Sequence, residues 1–194
     1  EPLKTEEPEP TVEEIKQEEL FDINSISAPT DIIDNDQIQQ MKLDFWPMRY
    51  FLIGFMGSGK STIGNQLARY LNIDFFDLDK YIEKNTRSSI QTIFETEGEE
   101  VFRKYESKYL KQIIAASSQS VISTGGGTPC YYDNLQVMQQ NGIVIYLKQN
   151  TNTHAKRILT SKTKRPLIKN MGEKELLQWI EDKLAERGIY YNQA

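Results

Sequence analysis

The segment Gly54-Phe-Met-Gly-Ser-Gly59-Lys60-Ser61 carries the densest chemistry in the chain. Glycines at 54, 57 and 59 let a backbone turn tightly enough to aim several N–H groups at one anion. Lys60 adds a point charge, and the Ser61 hydroxyl is a hard oxygen of the kind that ligates Mg²⁺. The pattern lies between an apolar run and a helical one. In that context it reads as a loop cradling the phosphates of a nucleoside triphosphate, aided by the dipole of the following helix. Such a loop specifies nucleotide binding and leaves the reaction open.

Three further clusters narrow the reaction. Asp77 and Asp79 flank Leu78 at the end of a short apolar run. Ligands of open α/β sheets bind beyond the carboxyl ends of strands, which directs both carboxylates to the cleft. One suits a Mg²⁺ ion, and the other suits an acceptor hydroxyl that must be oriented or deprotonated. Thr124-Gly125-Gly126-Gly127 follows another apolar run and permits close approach of backbone to ligand. No aspartate ends that strand in the manner of a motor or GTPase, which shifts the Mg²⁺ role to Asp77 or to water. Finally, Ser161 to Ile168 is a polar basic loop in which Arg165 suits a mobile lid over the phosphates.

The elements that must position these residues follow from periodicity. Strands are expected at Tyr50–Phe55, Asp74–Leu78, Ser120–Ser123 and Ile143–Leu147. Helices are expected at Lys60–Leu71, Ile90–Phe94, Val101–Ala116, Asn134–Gln140, Thr153–Leu159 and Glu173–Arg187. Strands alternating with helices imply an α/β class fold, a parallel sheet with helices on both faces. Among single residues, His154 reads as a solvated side chain, Cys130 as a small buried filler and Trp179 as core. Trp46-Pro47 reads as packing the leader onto the body.

The 194 residues carry a net charge of −5 that is unevenly distributed. Glu1 to Arg49 holds thirteen acids against four bases; Tyr50 to Ala194 holds fifteen acids against nineteen bases. The body is thus mildly basic, which suits an anionic small ligand and is too weak and scattered for nucleic acid. Residues 1–20, dominated by Glu and Pro, form an acidic leader expected to be disordered. Residues 21–49 read as a partly ordered extension, with a short strand near Phe21–Ser25 and a helix near Asp34–Met41. A single cysteine and a single histidine exclude an intrachain disulfide and a multi-histidine metal site. No apolar run reaches the roughly 18 residues of a membrane span, and no secretory signal is visible. A cytoplasmic setting fits these features, without a membrane partner.

In order, these motifs resemble the shikimate kinase family, P-loop small-molecule kinases of the nucleoside-monophosphate-kinase-like kind. GFMGSGKSTIG is similar to the family's phosphate loop, FFDLD to its paired aspartates, STGGG to its glycine triplet and KRPLI to its lid. SIQTIFETEGEEVFRKYE resembles its substrate-binding segment, with Phe94, Gly98, Phe102, Arg103 and Glu106 in family positions. The resemblance runs from Tyr50 to Ala194. It implies a three-layer P-loop fold with substrate-binding and lid insertions. It also implies ATP-dependent phosphorylation of the shikimate 3-hydroxyl, on the route to chorismate and the aromatic amino acids.

Carried over by position, Gly57, Ser58, Gly59, Lys60, Ser61 and Thr62 would contact ATP, with Arg157 near the adenine and Arg165 in the lid. Ser61 and Asp77 would hold Mg²⁺. Asp79 would hold the acceptor hydroxyls and act as base, and Lys60 and Arg165 would share in catalysis. Shikimate would lie against Gly125, Gly126 and Gly127, its carboxylate gripped by Arg103 and Arg187. An arginine fork matches a carboxylate with two hydrogen bonds, and an aspartate accepts from hydroxyls, so the residue types suit a small polyhydroxy acid. Arg103 can equally form an ion pair with Glu99 or Glu106, and Arg187 can be a helix-end cation before a Gly188 cap. The partners implied are ATP and shikimate alone, with the chain a monomer.

Two departures from the family pattern stand out. Ile189 occupies a position where the family usually has proline, and the 50–194 domain lacks the usual C-terminal strand and helix. That pattern leaves three readings open: a shortened chain, a degraded gene product, or a strand and helix near Phe21–Ser25 and Asp34–Met41 that fill the open sheet edge. Two alternatives stay open: a P-loop kinase for another hydroxylated acceptor, such as gluconate or a nucleoside monophosphate, and a nucleotide-binding protein that has lost catalysis.

Overall fold

The computed structural model describes residues 49–160 and 171–194. The expectations for the leader, for residues 21–48 and for Arg165 lie outside those residues.

Four strands form one parallel sheet: β1 (Arg49–Ile53), β2 (Asp74–Asp77), β3 (Ser120–Ser123) and β4 (Ile143–Tyr146), in the order β2-β3-β1-β4. The helices are α1 (Lys60–Leu71), α2 (Leu78–Thr86), α3 (Ile90–Thr96), α4 (Gly98–Ala116), α5 (Asn134–Asn141), α6 (Thr151–Thr160) and α7 (Glu173–Tyr191). A strand shows alternate side chains to opposite faces. Tyr50 and Leu52 of β1 therefore join Val121 and Phe75 beneath Ala68 and Leu67 of α1. Phe51 and Ile53 join Ile122 and Phe76 in the larger core on the other face, with Leu78, Leu110, Ile113, Ile158 and Ile180. The register pairs Phe51 with Ile122 and Ile122 with Phe76, so each layer runs unbroken across three strands. Burying a side chain such as Phe51 or Ile122, both fully buried, contributes about 1.5–3 kcal/mol.

Strand order also decides where a ligand sits. The connection leaving β1 runs toward β2, whereas the one leaving β3 crosses to β4. The two part at the carboxyl ends of β1 and β3, opening the crevice where such sheets bind ligands. The phosphate-loop glycines follow β1 and the glycine triplet follows β3, so both stand at that crevice.

Several boundaries differ from the sequence expectations for local reasons. The expected strand Asp74–Leu78 stops at Asp77, whose carboxylate accepts from the Lys80 N–H and caps α2, a helix the apolar pattern did not reveal. Gly98, at φ 85°, turns the chain between α3 and α4, and α4 starts there rather than at Val101. α7 runs through Gly188 to Tyr191, so Gly188 caps nothing and Arg187 is not a terminal cation. Trp179 is partly buried against the larger core, and Cys130 is half-buried, both close to expectation.

Candidate active site

The phosphate loop has the conformation its glycines suggested. Gly54, Gly57 and Gly59 have φ of 138°, 75° and 98°, and Gly59 is the N-cap of α1. Side chains are strained in that region of φ, so the turn requires glycine. Lys60 is folded over the loop, its Nζ donating to Gly54 O at 2.7 Å and Phe55 O at 3.0 Å. Its ammonium is thus buried against the loop carbonyls. Thr62 follows on the exposed side of the first turn of α1.

Ser61 and Asp77 meet at the edge of this loop, the Ser61 hydroxyl donating to Asp77 Oδ2 at 2.6 Å. Capping by Asp77 and contact with Ser61 fix one carboxylate between α1 and α2. Among the described residues no group of three His, Cys, Asp or Glu side chains gathers to hold a metal. Two hard oxygens beside a phosphate site are the donor set that suits Mg²⁺, which keeps most of its shell as water and phosphate oxygens.

The glycine triplet is a surface against which four charged side chains pack. A Cβ on Gly125 would lie 3.1 Å from Asp79 Oδ1 and 2.4 Å from Glu106 Oε1. One on Gly127 would lie 2.7 Å from Arg103 Nη1, and one on Gly126 would lie 3.5 Å from Arg187 Nη1 and 3.6 Å from Gly54 O. The triplet therefore brings Asp79, Arg103 and Arg187 together next to the phosphate loop. Thr124 anchors it, its N–H and its hydroxyl each donating to Leu52 O at 3.1 Å. Tyr191 donates its hydroxyl to Gly126 O and ties the end of α7 to the same surface.

Arg103 pairs with both of the partners expected for it, Glu99 at 2.8 Å and Glu106 at 2.6 Å. The pair is not a surface one, since Arg103 is 8% exposed and Glu106 is fully buried. Its guanidinium also stacks over Tyr131, 4.4 Å from the ring centroid. Burial pushes the Glu106 carboxyl above the ordinary range and Arg103 opposes that push. Burial works against the Arg103 charge as well, but Glu106 and Glu99 together outweigh it and hold the guanidinium protonated. Arg187 lies with its Cζ 5.7 Å from the centre of the Phe55 ring.

One residue was placed differently by sequence. His154 is not solvated but 1% exposed, its Nδ1 3.0 Å from Met56 O and its ring edge-on to Phe55. His154, Ala155 and Ile158 share one helical face, and all three are buried. Arg157 lies on the phosphate loop, its Nη1 donating to Gly57 O at 3.0 Å and Ser58 O at 3.1 Å. Thr128 was not anticipated at all; its hydroxyl donates to Glu106.

Comparison with known proteins agrees with this geometry. A family model described as shikimate kinase matches residues 56–194. A shikimate kinase of Azobacteroides pseudotrichonymphae is 44% identical over 146 residues, 75% of this chain and 86% of that protein. One from Flavobacterium johnsoniae is 44% identical over 144 residues, 74% of this chain and 84% of its own length. The crystal structure of shikimate kinase from Bacteroides thetaiotaomicron superposes with a TM-score of 0.73 at 37% identity, covering 76% of this chain and 83% of that one. A shikimate kinase from Acinetobacter baumannii in complex with shikimate gives 0.69 at 34% identity, covering 78% and 82%. With the phosphate loop, the paired aspartates and the arginine-lined triplet at one crevice, and a matching profile over most of its length, the chain belongs to the shikimate kinase family.

Proposed function

We propose that the chain transfers the γ-phosphoryl group of ATP to the 3-hydroxyl of shikimate, giving shikimate 3-phosphate and ADP on the route to chorismate and the aromatic amino acids. One observation carries the reading. Two arginines and one aspartate converge on a glycine surface that adjoins a phosphate loop. Arg103 and Arg187 supply a cationic anchor for one carboxylate, and Asp79 supplies an acceptor for hydroxyls. A nucleoside monophosphate lacks the carboxylate, whereas gluconate carries both groups and is separated from shikimate by the acceptor comparison.

In the reaction, Asp79 accepts the proton of the substrate hydroxyl as the new O–P bond forms and the bond from Pγ to the β-phosphate oxygen breaks. Lys60 exchanges its loop carbonyls for phosphate oxygens and, with the amides of Gly57 to Ser61, stabilises the charge that shifts onto the leaving ADP. Ser61 and Asp77 would hold Mg²⁺, which supplies charge neutralisation at the phosphates when bound. Arg165, outside the described residues, is proposed as the lid arginine, and Arg157 as the residue beside the nucleotide.

Incubation with ATP, Mg²⁺ and each of shikimate, gluconate and AMP tests the reading, with phosphorus NMR of the products. A new monoester resonance with shikimate alone is expected. Phosphorylation of gluconate or AMP in preference to shikimate overturns it. Among the described residues, no helix is long and apolar enough to cross a membrane.

A further inference from the structure

We propose that His154 is a positioning residue for the phosphate loop, holding its amides toward the nucleotide through the Met56 carbonyl. The inference rests on the reading of that loop as the ATP site.

α6 touches three successive carbonyls of the loop. His154 Nδ1 is 3.0 Å from Met56 O, and Arg157 Nη1 is 3.0 Å from Gly57 O and 3.1 Å from Ser58 O. A carbonyl oxygen only accepts, so the imidazole carries its proton on Nδ1. Burial, with Lys60 and Arg157 nearby, holds its pKa below the usual histidine value, so the ring is neutral and that tautomer is fixed. No peptide bond among the described residues is cis. In a trans peptide the C=O of one residue and the N–H of the next point to opposite sides. Drawing the carbonyls of Met56, Gly57 and Ser58 toward α6 therefore turns the N–H groups of Gly57, Ser58 and Gly59 away from it. The Ser58 N–H donates within the loop to Phe55 O at 3.2 Å, which leaves the amides of Gly57 and Gly59 as the ones so turned.

Of the two α6 contacts, that of His154 is the firmer. Arg157 is exposed and has other uses near a nucleotide, whereas His154 is wedged edge-on against Phe55 with ring centroids 5.2 Å apart. Glycines at 57 and 59 leave the loop many alternative conformations. A buried donor beside them selects one of these before ATP arrives, and pre-organisation of that kind appears as affinity.

The test separates the hydrogen bond from packing. His154→Phe keeps a ring against Phe55 and lacks the donor; His154→Asn lacks the ring and keeps an N–H at the position of Nδ1. ADP binding to the full chain is measured by calorimetry, alongside KM for ATP and shikimate and the melting temperature. The Phe variant is expected to bind ADP about 3- to 10-fold more weakly and to raise KM for ATP equally, with KM for shikimate unchanged. The Asn variant is expected to stay within about 2-fold of the parent, because the hydrogen bond to Met56 O is largely restored. Equal ADP affinity in the Phe variant and the parent overturns the inference. So does equal loss in both variants in step with melting temperature, which is the mark of packing alone. Should the Phe variant not fold, His154→Leu replaces it in the same comparison at a temperature where it is folded. A parent chain that fails to bind ADP overturns the underlying reading, and the inference with it.

Discussion

Replacing Glu106 by glutamine keeps its shape and removes its charge, and the consequences follow from its two partners. Glu106 is fully buried; Oε2 accepts from Arg103 at 2.6 Å and Oε1 accepts from Thr128 at 2.5 Å. A glutamine amide has one accepting end. With its oxygen toward Thr128, its NH₂ group faces the Arg103 guanidinium, donor against donor. Removing one half of a buried pair costs about 3–5 kcal/mol. Glu99 still pairs with Arg103, though its side chain is 55% exposed, so the lower end applies, about 3 kcal/mol. For a domain of this size that lowers the melting temperature by roughly 6–12 °C. The guanidinium also loses the contact that aims it across Gly127. KM for shikimate is expected to rise about tenfold, equivalent to about 1.4 kcal/mol, while KM for ATP stays within a factor of about 2. Thermal unfolding followed by circular dichroism and a coupled ADP-release assay read the two effects. A fall in stability with an unchanged KM for shikimate refutes the anchoring role of Arg103. No change in either refutes the buried pair.

Three further outcomes are expected. Gly125→Ala places a methyl 2.4 Å from Glu106 Oε1 and 3.1 Å from Asp79 Oδ1 at a residue whose φ is not positive, so the effect is steric. It should lower kcat/KM for shikimate by at least about 10-fold at a stability cost of about 1–3 kcal/mol, and unchanged kinetics would show that the triplet has room to spare. Asp77→Asn keeps an acceptor for the Ser61 hydroxyl and removes the charge. The Mg²⁺ concentration for half-maximal activity should rise about 10-fold without a change in KM for shikimate, and an unaltered Mg²⁺ titration would remove Asp77 from the metal site. Burial pushes the Cys130 thiol up to about 11. At pH 8 only roughly one thiol in a thousand is then ionised, so alkylation by iodoacetamide should be slow in the folded chain and accelerate on unfolding in urea. Equal rates folded and unfolded would contradict its burial.

Local rules made much of the scaffold legible. The G-x4-G-K-S spacing encodes positive φ at three glycines, and the loop adopts them. Period-2 and period-3.6 patterns located the four strands and most helices, because one residue's neighbours in sequence decide which face it shows. What stayed hidden depends on partners far away in the chain. α2 buries only Leu78 and Ile82 and carries too short an apolar stripe to announce itself. His154 looked like a polar helix residue, because nothing local reveals that Phe55 and Met56, about a hundred positions earlier, would enclose it. Arg103 offered two readings, anchor or ion pair; the structure shows the ion pair, with the guanidinium held against Gly127, and the anchor is the role proposed for it. The reach of α7 past Gly188 follows from Tyr191 packing on Tyr146 and bonding Gly126, contacts that outweigh the usual tendency of glycine to end a helix.

The reaction proposed for this crevice passes a phosphoryl group from ATP to shikimate, with Asp79 as acceptor of the hydroxyl proton. The most direct measurement is ADP release from ATP and Mg²⁺, with and without shikimate, by the parent chain and by Asp79→Asn. Release by the parent is expected to depend on shikimate and to fall by at least about 100-fold in the Asn variant, with ATP binding retained. Release by the parent that is indifferent to shikimate, or an Asn variant as fast as the parent, would contradict it.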